Sequence, residues 1–190
     1  MSTDQAFRID TDSGLIRNVD FRPSPNCDPR PRGMTPELLV IHGISLPAGR
    51  FGGPYVEALF CNRLDDSAHA DFAALAGLRV SSHLFVRRDG AVLQFVPFTL
   101  RAWHAGVSSF QGRTQCNDFS IGIELEGADT IPYETVQYAQ LNALIAALRG
   151  AYPAITPERI VGHADIAPGR KTDPGPAFEW ARVSGCVSMA

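Results

Sequence analysis

Lysine is nearly missing from this sequence: 16 of its 17 basic residues are arginine, and the exception is Lys171. The arginine bias carries no functional reading by itself, but it makes the place of the one lysine worth marking. Excess positive charge is missing too. A net charge of −3 argues against nucleic acid or an anionic membrane as the main partner and leaves a small molecule as the expectation. No apolar run approaches the length of a membrane-spanning helix. The opening "MSTDQAFRIDTDSG" is polar and acidic where an export signal needs a basic start and an apolar stretch. Cys27, Cys61, Cys116 and Cys186 lack the short paired spacing of a zinc knuckle or redox motif. Four free thiols in a reducing compartment follow, and the cytoplasm is the expected location. Internal repeats and low-complexity tracts are absent.

What remains is the composition of an ordinary globular domain, with 190 residues, 45% of them hydrophobic and 19% charged, enough to bury a core. Residues 22–35, "RPSPNCDPRPRGMT", read as an extended lead-in, which sets a boundary between 1–35 and a main domain over 36–190. "ELLVIHGIS" (37–45) has the continuous apolar run of a buried strand ending at His42. "GPYVEALF" predicts a short helix. "SSHLFVRRDGAVLQFVP" reads as two strands joined at Asp89-Gly90, a dipeptide favoured in tight hairpins. "FSIGIELEG" alternates, with Ile121, Ile123 and Leu125 on one face and Gly122, Glu124 and Glu126 on the other. From Tyr133 to Arg149 the period becomes helical through Val136, Leu141, Leu144, Ile145 and Leu148, with Gly150 as the stop. Thr156-Pro157-Glu158 opens a further turn, and "PAFEWARV" predicts a last helix. The fold class is α/β: one domain with a central mixed sheet flanked by helices.

The chemistry concentrates in "VGHADIAPGRKTDPGP" (161–176), where a histidine, two aspartates and the lone lysine sit among prolines and glycines. The prolines predict an irregular loop, and loops held by proline position side chains for function more often than for packing. His42 and His163 each follow an apolar run and neighbour a glycine (Gly43, Gly162), where a ligand can approach. With Asp173 they form the two-imidazole, one-carboxylate set of a catalytic zinc site with one open position. The spacing is loose, so hydrogen-bonded structural histidines remain the competing reading. Glu124 lies mid-strand between Ile123 and Leu125, a poor place for a carboxylate without a partner or a task. A zinc hydrolase needs such a base, and a positive group for its oxyanion, which Lys171 would supply. Glu126 fits a sheet face that meets water, and a solvated loop lysine is the competing reading for Lys171.

At these residues the chain closely resembles the bacterial cytosolic N-acetylmuramyl-L-alanine amidases of the AmpD type, within a zinc amidase family that includes phage lytic amidases and peptidoglycan recognition proteins. "LLVIHGISLPAGRFGGPYVEALF", "LRVSSHLFVRRDG", "RAWHAGVSSFQGR", "CNDFSIGIELEG" and "GHADIAPGRKTDPGPAFEWAR" carry the likeness from about residue 20 to 183. The resemblance implies one zinc ion on His42, His163 and Asp173, with Glu124 as general base and Lys171 as transition-state stabiliser. It implies hydrolysis of the bond between muramic acid and L-alanine, on 1,6-anhydro-muramyl peptides. Many AmpD-type chains carry Asn at Gly43 and often Arg at Gln115, both cleft positions in relatives. Arg79 matches the pattern and could supply charge for the stem peptide. Trp103 and His104 are expected on the sugar side, with core packing the competing reading for Trp103. Two other functions stay open: the same chemistry on intact murein, and a non-catalytic muropeptide-binding protein.

Overall fold

A computed structural model describes residues 6–184. Its chain order is β1 (Arg8–Asp10), β2 (Leu15–Arg17), β3 (Asp20–Phe21), β4 (Cys27–Pro29), β5 (Leu38–Ile44), α1 (Tyr55–Phe60), β6 (Leu84–Val86), β7 (Val92–Gln94), β8 (Leu100–Ala102), β9 (Ser109–Phe110), β10 (Arg113–Thr114), β11 (Ser120–Glu126), α2 (Thr135–Ala151), β12 (Ile160–Gly162) and α3 (His163–Ile166). Six strands form the central sheet in the order β12-β5-β11-β6-β7-β3. β12, β5, β11 and β6 run parallel, β7 turns back antiparallel to β6, and β3 lies parallel to β7 at the edge. The α/β fold with a mixed sheet is therefore the observed one.

Both faces of the sheet are covered. Leu39 and Ile41 of β5 and Ile121, Ile123 and Leu125 of β11 pack against Tyr138, Leu141, Leu144, Ile145 and Leu148 of α2. This is the helical stripe meeting the period-two stripe, the arrangement that removes most apolar surface from water. On the opposite face Leu38 and Val40 pack with Ala105, Cys116, Phe119 and Ile166. His42 continues the even-numbered side of β5, so it emerges on this second face at the C-terminal ends of the parallel strands. Clefts in open α/β sheets form at those ends.

Several elements differ from the sequence reading, each for a local reason. β5 runs two residues past His42, because β11 pairs with it along the whole length. The lead-in contains β4, which pairs antiparallel with β8. α2 continues through Gly150 and ends at Ala151. Val136 is 38% exposed, off the core face. It covers Gly90, whose φ is +86°, and a Cβ at Gly90 would come within 2.5 Å of Val136 Cγ2. The loop after β12 is not wholly irregular: Asp165 Oδ2 accepts the Gly162 N–H at 2.7 Å and nucleates the single turn of α3. "PAFEWARV" gives one 3-10 turn, Trp180–Arg182, instead of a helix. Glu126 does not meet water: it is buried and accepts the backbone N–H groups of Gly52 (2.5 Å) and Arg88 (2.9 Å). Cys27, Cys61 and Cys116 are free thiols, and Cys186 lies outside the described residues.

Candidate metal centre and active site

Three neighbouring strand ends assemble the site. Gly162 of β12 pairs with Ile41 of β5, and His42 of β5 pairs with Glu124 of β11. His163 follows β12 directly as the first residue of α3. Asp173 returns across the loop, where its carbonyl accepts the Ala164 N–H at 3.0 Å and the next carbonyl, of Pro174, accepts the Tyr133 hydroxyl at 2.9 Å.

The three expected ligands converge. His42 Nδ1 lies 3.0 Å from His163 Nδ1 and 3.2 Å from Asp173 Oδ2, while His163 Nδ1 lies 3.0 Å from the same carboxylate oxygen. Both imidazoles are buried, and the Asp173 side chain is 14% exposed. One proton can bridge two of these atoms but not all three. The His163 ring has a task for its proton on the far side, since Nε2 faces the Ala105 carbonyl at 3.2 Å. With Nε2 donating, His163 Nδ1 presents its lone pair inward, toward an Asp173 carboxylate oxygen that is itself an acceptor. A cation resolves that crowding. Tetrahedral zinc with bonds of about 2.0–2.1 Å separates its ligand atoms by about 3.3 Å, within a few tenths of an ångström of this triangle.

The electrostatics agree. Burial, opposed by hydrogen bonding to Asp173, pushes His42 down to about 4, so this imidazole is neutral and able to ligate at ordinary pH. Burial raises the Asp173 carboxyl, but the two histidine contacts outweigh it and hold the group well below the usual carboxylate range. Glu124 shifts the other way. Its side chain is 12% exposed, with Oε1 3.9 Å from His42 Nδ1. Burial and then the Asp173 charge push its pKa well above the ordinary value, opposed by Lys171. Glu124 Oε2 is buried without a hydrogen-bond partner among the described residues. Such an orphan oxygen in a native site points to a ligand or a proton it must handle. Lys171 is exposed, yet its charge acts on both His42 and Glu124.

The remaining expected residues are spread more widely. His104 is half-buried: its Nδ1 is 2.8 Å from His42 Nε2 and its Nε2 is 3.0 Å from Ser120 Oγ. The ring lies where a side chain at Gly122 would be, 2.6 Å from an added Cβ. Trp103 is half-buried and donates its indole N–H to Asp28 at 3.1 Å. Asp28 also pairs with Arg101, which reaches Asp118. Arg79 is exposed. Gln115 is exposed in a left-handed turn with φ +59°. At Gly43 an added Cβ would lie 2.2 Å from the Tyr133 hydroxyl, so that position makes room for Tyr133. Sequence reasoning did not single out Tyr133, Asn117, Ser120 or the buried His83. The one available signal was a polar residue amid apolar strand ends, which "CNDFS" and "SSHLF" both contain.

Comparison with known proteins agrees with this geometry. The family model described as N-acetylmuramoyl-L-alanine amidase matches residues 32–176. The 1,6-anhydro-N-acetylmuramyl-L-alanine amidase AmpD of Escherichia coli (strain K12) is 60% identical over 166 residues, covering 87% of this chain and 90% of the relative. A crystal structure of an AmpD selenomethionine derivative superposes with a TM-score of 0.88 at 56% identity, covering 92% of this chain and 96% of that one. The E. coli amidase AmiD, solved in complex with anhydro-N-acetylmuramic acid-L-Ala-D-gamma-Glu-L-Lys, superposes with a TM-score of 0.56 at 34% identity, over 80% of this chain and 58% of AmiD. Family model, relatives and buried cluster agree: this chain belongs to the N-acetylmuramoyl-L-alanine amidase family.

Proposed function

We propose that this amidase is a zinc enzyme that cuts the amide between 1,6-anhydro-N-acetylmuramic acid and the L-alanine of the stem peptide, in the turnover of cell-wall fragments. The observation that carries the metal assignment is the triangle of His42 Nδ1, His163 Nδ1 and Asp173 Oδ2, with the unpartnered Glu124 carboxylate on the adjacent strand. The substrate rests on the relatives: AmpD is named for the anhydro compound, and the AmiD complex contains one.

Zinc, when bound, supplies Lewis acidity for the amide carbonyl and for the attacking water. The chain does the rest. His42, His163 and Asp173 would hold the ion. Glu124, whose buried carboxylate has a raised affinity for a proton, takes one from the attacking water and delivers it to the departing alanine nitrogen. Lys171 places its ammonium where charge develops on the carbonyl oxygen. Arg79, exposed and cationic, is assigned to the stem-peptide carboxylates, and the half-buried Trp103 to one face of the sugar. Gly43 and Gln115 are assigned to the cleft wall through their backbones.

The segment before residue 36 belongs to the same catalytic unit in this reading, since Asp28 holds Trp103. No helix among the described residues is long and apolar enough to cross a membrane. With free thiols at Cys27, Cys61 and Cys116, a cytoplasmic enzyme acting on imported fragments is the proposal. Purified protein incubated with anhydro-muropeptide, with and without chelator, should release free stem peptide only in the metal-loaded sample. A rate on intact murein, per available amide, equal to that on the fragment would replace this substrate with the polymer.

A further inference from the structure

Both ligand histidines are oriented from a single two-residue segment. His42 Nε2 meets the His104 ring, and His163 Nε2 meets the carbonyl of the next residue, Ala105. The backbone N–H groups of these same two residues donate to one atom, Asn117 Oδ1, at 3.2 Å from His104 and 2.8 Å from Ala105. Asn117 is itself anchored: the Arg30 guanidinium donates to the carbonyls of Asn117 (3.2 Å), Asp118 (3.0 Å) and Ser120 (2.9 Å). Ser120 in turn is the residue that meets the outer nitrogen of His104.

The direction of these hydrogen bonds follows from the metal side. If His104 donates from Nε2 to Ser120, its Nδ1 is left to accept a proton from His42 Nε2, and His42 then presents a lone pair at Nδ1. The reverse direction would put a proton on His42 Nδ1, 3.0 Å from His163 Nδ1, and spoil the ligand set. Ala105 makes the same demand of His163 through its carbonyl. Arg170 also donates to that carbonyl, at 2.6 Å, and fixes it further.

We propose that Asn117 is a positioning residue for the metal centre, clamping the His104–Ala105 segment so that His104 and the Ala105 carbonyl hold both ligand imidazoles as Nε2–H tautomers with Nδ1 facing inward. Groups of this kind behind metal ligands set ring orientation and ligand basicity. The proposal rests on the metal reading above. Neither Asn117 nor His104 touches the reacting atoms in this assignment.

The test is a zinc dissociation constant, obtained by competition against a chromophoric chelator at fixed pH, for the full-length protein and its variants. Asn117→Ala and His104→Ala should each weaken zinc binding by about 10- to 100-fold. Asn117→Asp keeps an acceptor oxygen at the same place and should bind zinc far more tightly than Asn117→Ala, close to the unsubstituted protein. Arg88→Ala, which removes a remote ion pair with Glu134, should leave zinc affinity unchanged whatever it does to stability. Nitrogen-15 spectra should find the His42 and His163 protons on Nε2. Folded Asn117→Ala or His104→Ala protein that binds zinc as tightly as the unsubstituted chain overturns the proposal, as does finding those protons on Nδ1. Should Asn117→Ala not fold, His104→Ala and the tautomer measurement decide. Failure of the unsubstituted protein to take up zinc at all would instead overturn the metal reading on which this one rests.

Discussion

His42 and Glu124 are register partners on adjacent parallel strands, β5 and β11. The pairing holds the Glu124 carboxylate 3.9 Å from the imidazole nitrogen that faces His163 and Asp173. The distance between expected ligand and expected base is thus set by backbone hydrogen bonds and not by a flexible loop. A one-residue slip would turn Glu124 to the α2 face, away from His42.

Glu124→Gln should separate metal binding from chemistry. Gln is nearly the same size, so β11 should survive and zinc content should stay near one per chain. The carboxylate that accepts the proton is gone, a loss worth about 10²–10⁴ in kcat with a smaller change in KM. Metal analysis beside steady-state kinetics checks this. A fall of less than about tenfold in the zinc-loaded variant removes Glu124 from the role of base.

Asp173→Ala should lose metal and activity together, because the two remaining imidazoles leave zinc short of a ligand. Chelator should do the same to the unsubstituted protein, and added Zn²⁺ should restore it. Full activity in metal-stripped protein would end the zinc assignment.

Lys171→Met should retain zinc but lower kcat by about 10²–10³, the usual result of removing one oxyanion stabiliser. The side chain is exposed, so the melting temperature should hardly move. A change confined to KM would assign Lys171 to substrate binding instead.

Gly43→Ala should destabilise the fold. The new methyl would have to displace the Tyr133 hydroxyl, 2.2 Å away, from its bond to the Pro174 carbonyl. Overpacking of this kind costs about 1–3 kcal/mol. Urea unfolding of Gly43→Ala, and of Gly43→Ala combined with Tyr133→Phe, measures it. A single variant as stable as the unsubstituted chain would mean that Tyr133 moves aside freely.

Acidification should weaken the fold through His83. This histidine is fully buried, with Nδ1 accepting the Gly122 N–H at 3.0 Å. Burial and then the Arg30 charge hold its pKa well below the ordinary 6.5, against the Leu100 carbonyl. Below that value the unfolded chain binds a proton that the folded chain refuses, so stability falls as pH drops from 6.5. One such group contributes a slope of up to about 1.4 kcal/mol per pH unit. Unfolding free energies between about pH 7.5 and 5 should show a shallower slope for His83→Asn. An unchanged slope would assign the acid sensitivity elsewhere.

The sequence by itself determined the elements whose signal is local. The apolar run before His42, the alternation of Ile121, Ile123 and Leu125, and the helical stripe from Leu141 to Leu148 each record burial of one face, and burial is legible one residue at a time. The same holds for chemical type: a base isolated in a strand and a lone lysine in a proline-rich loop stand out without coordinates. Boundaries were less legible where a partner overrode the local rule. Gly150 stayed helical, and "PAFEWARV" formed only one 3-10 turn although it reads as helix. What only the tertiary structure decided was contact between distant segments. Glu126 and Glu124 have the same strand position and chemistry, yet Gly52 and Arg88 satisfy the first while the second is left with an orphan oxygen. His104 reads as a sugar-side residue, and only the fold brings its ring to His42, in space that Gly122 leaves. Asn117 carries no signal of its own, because its role lies in two N–H groups a dozen residues away. A hydrogen bond depends on where its partner lies in space, and that is settled only when the chain closes on itself.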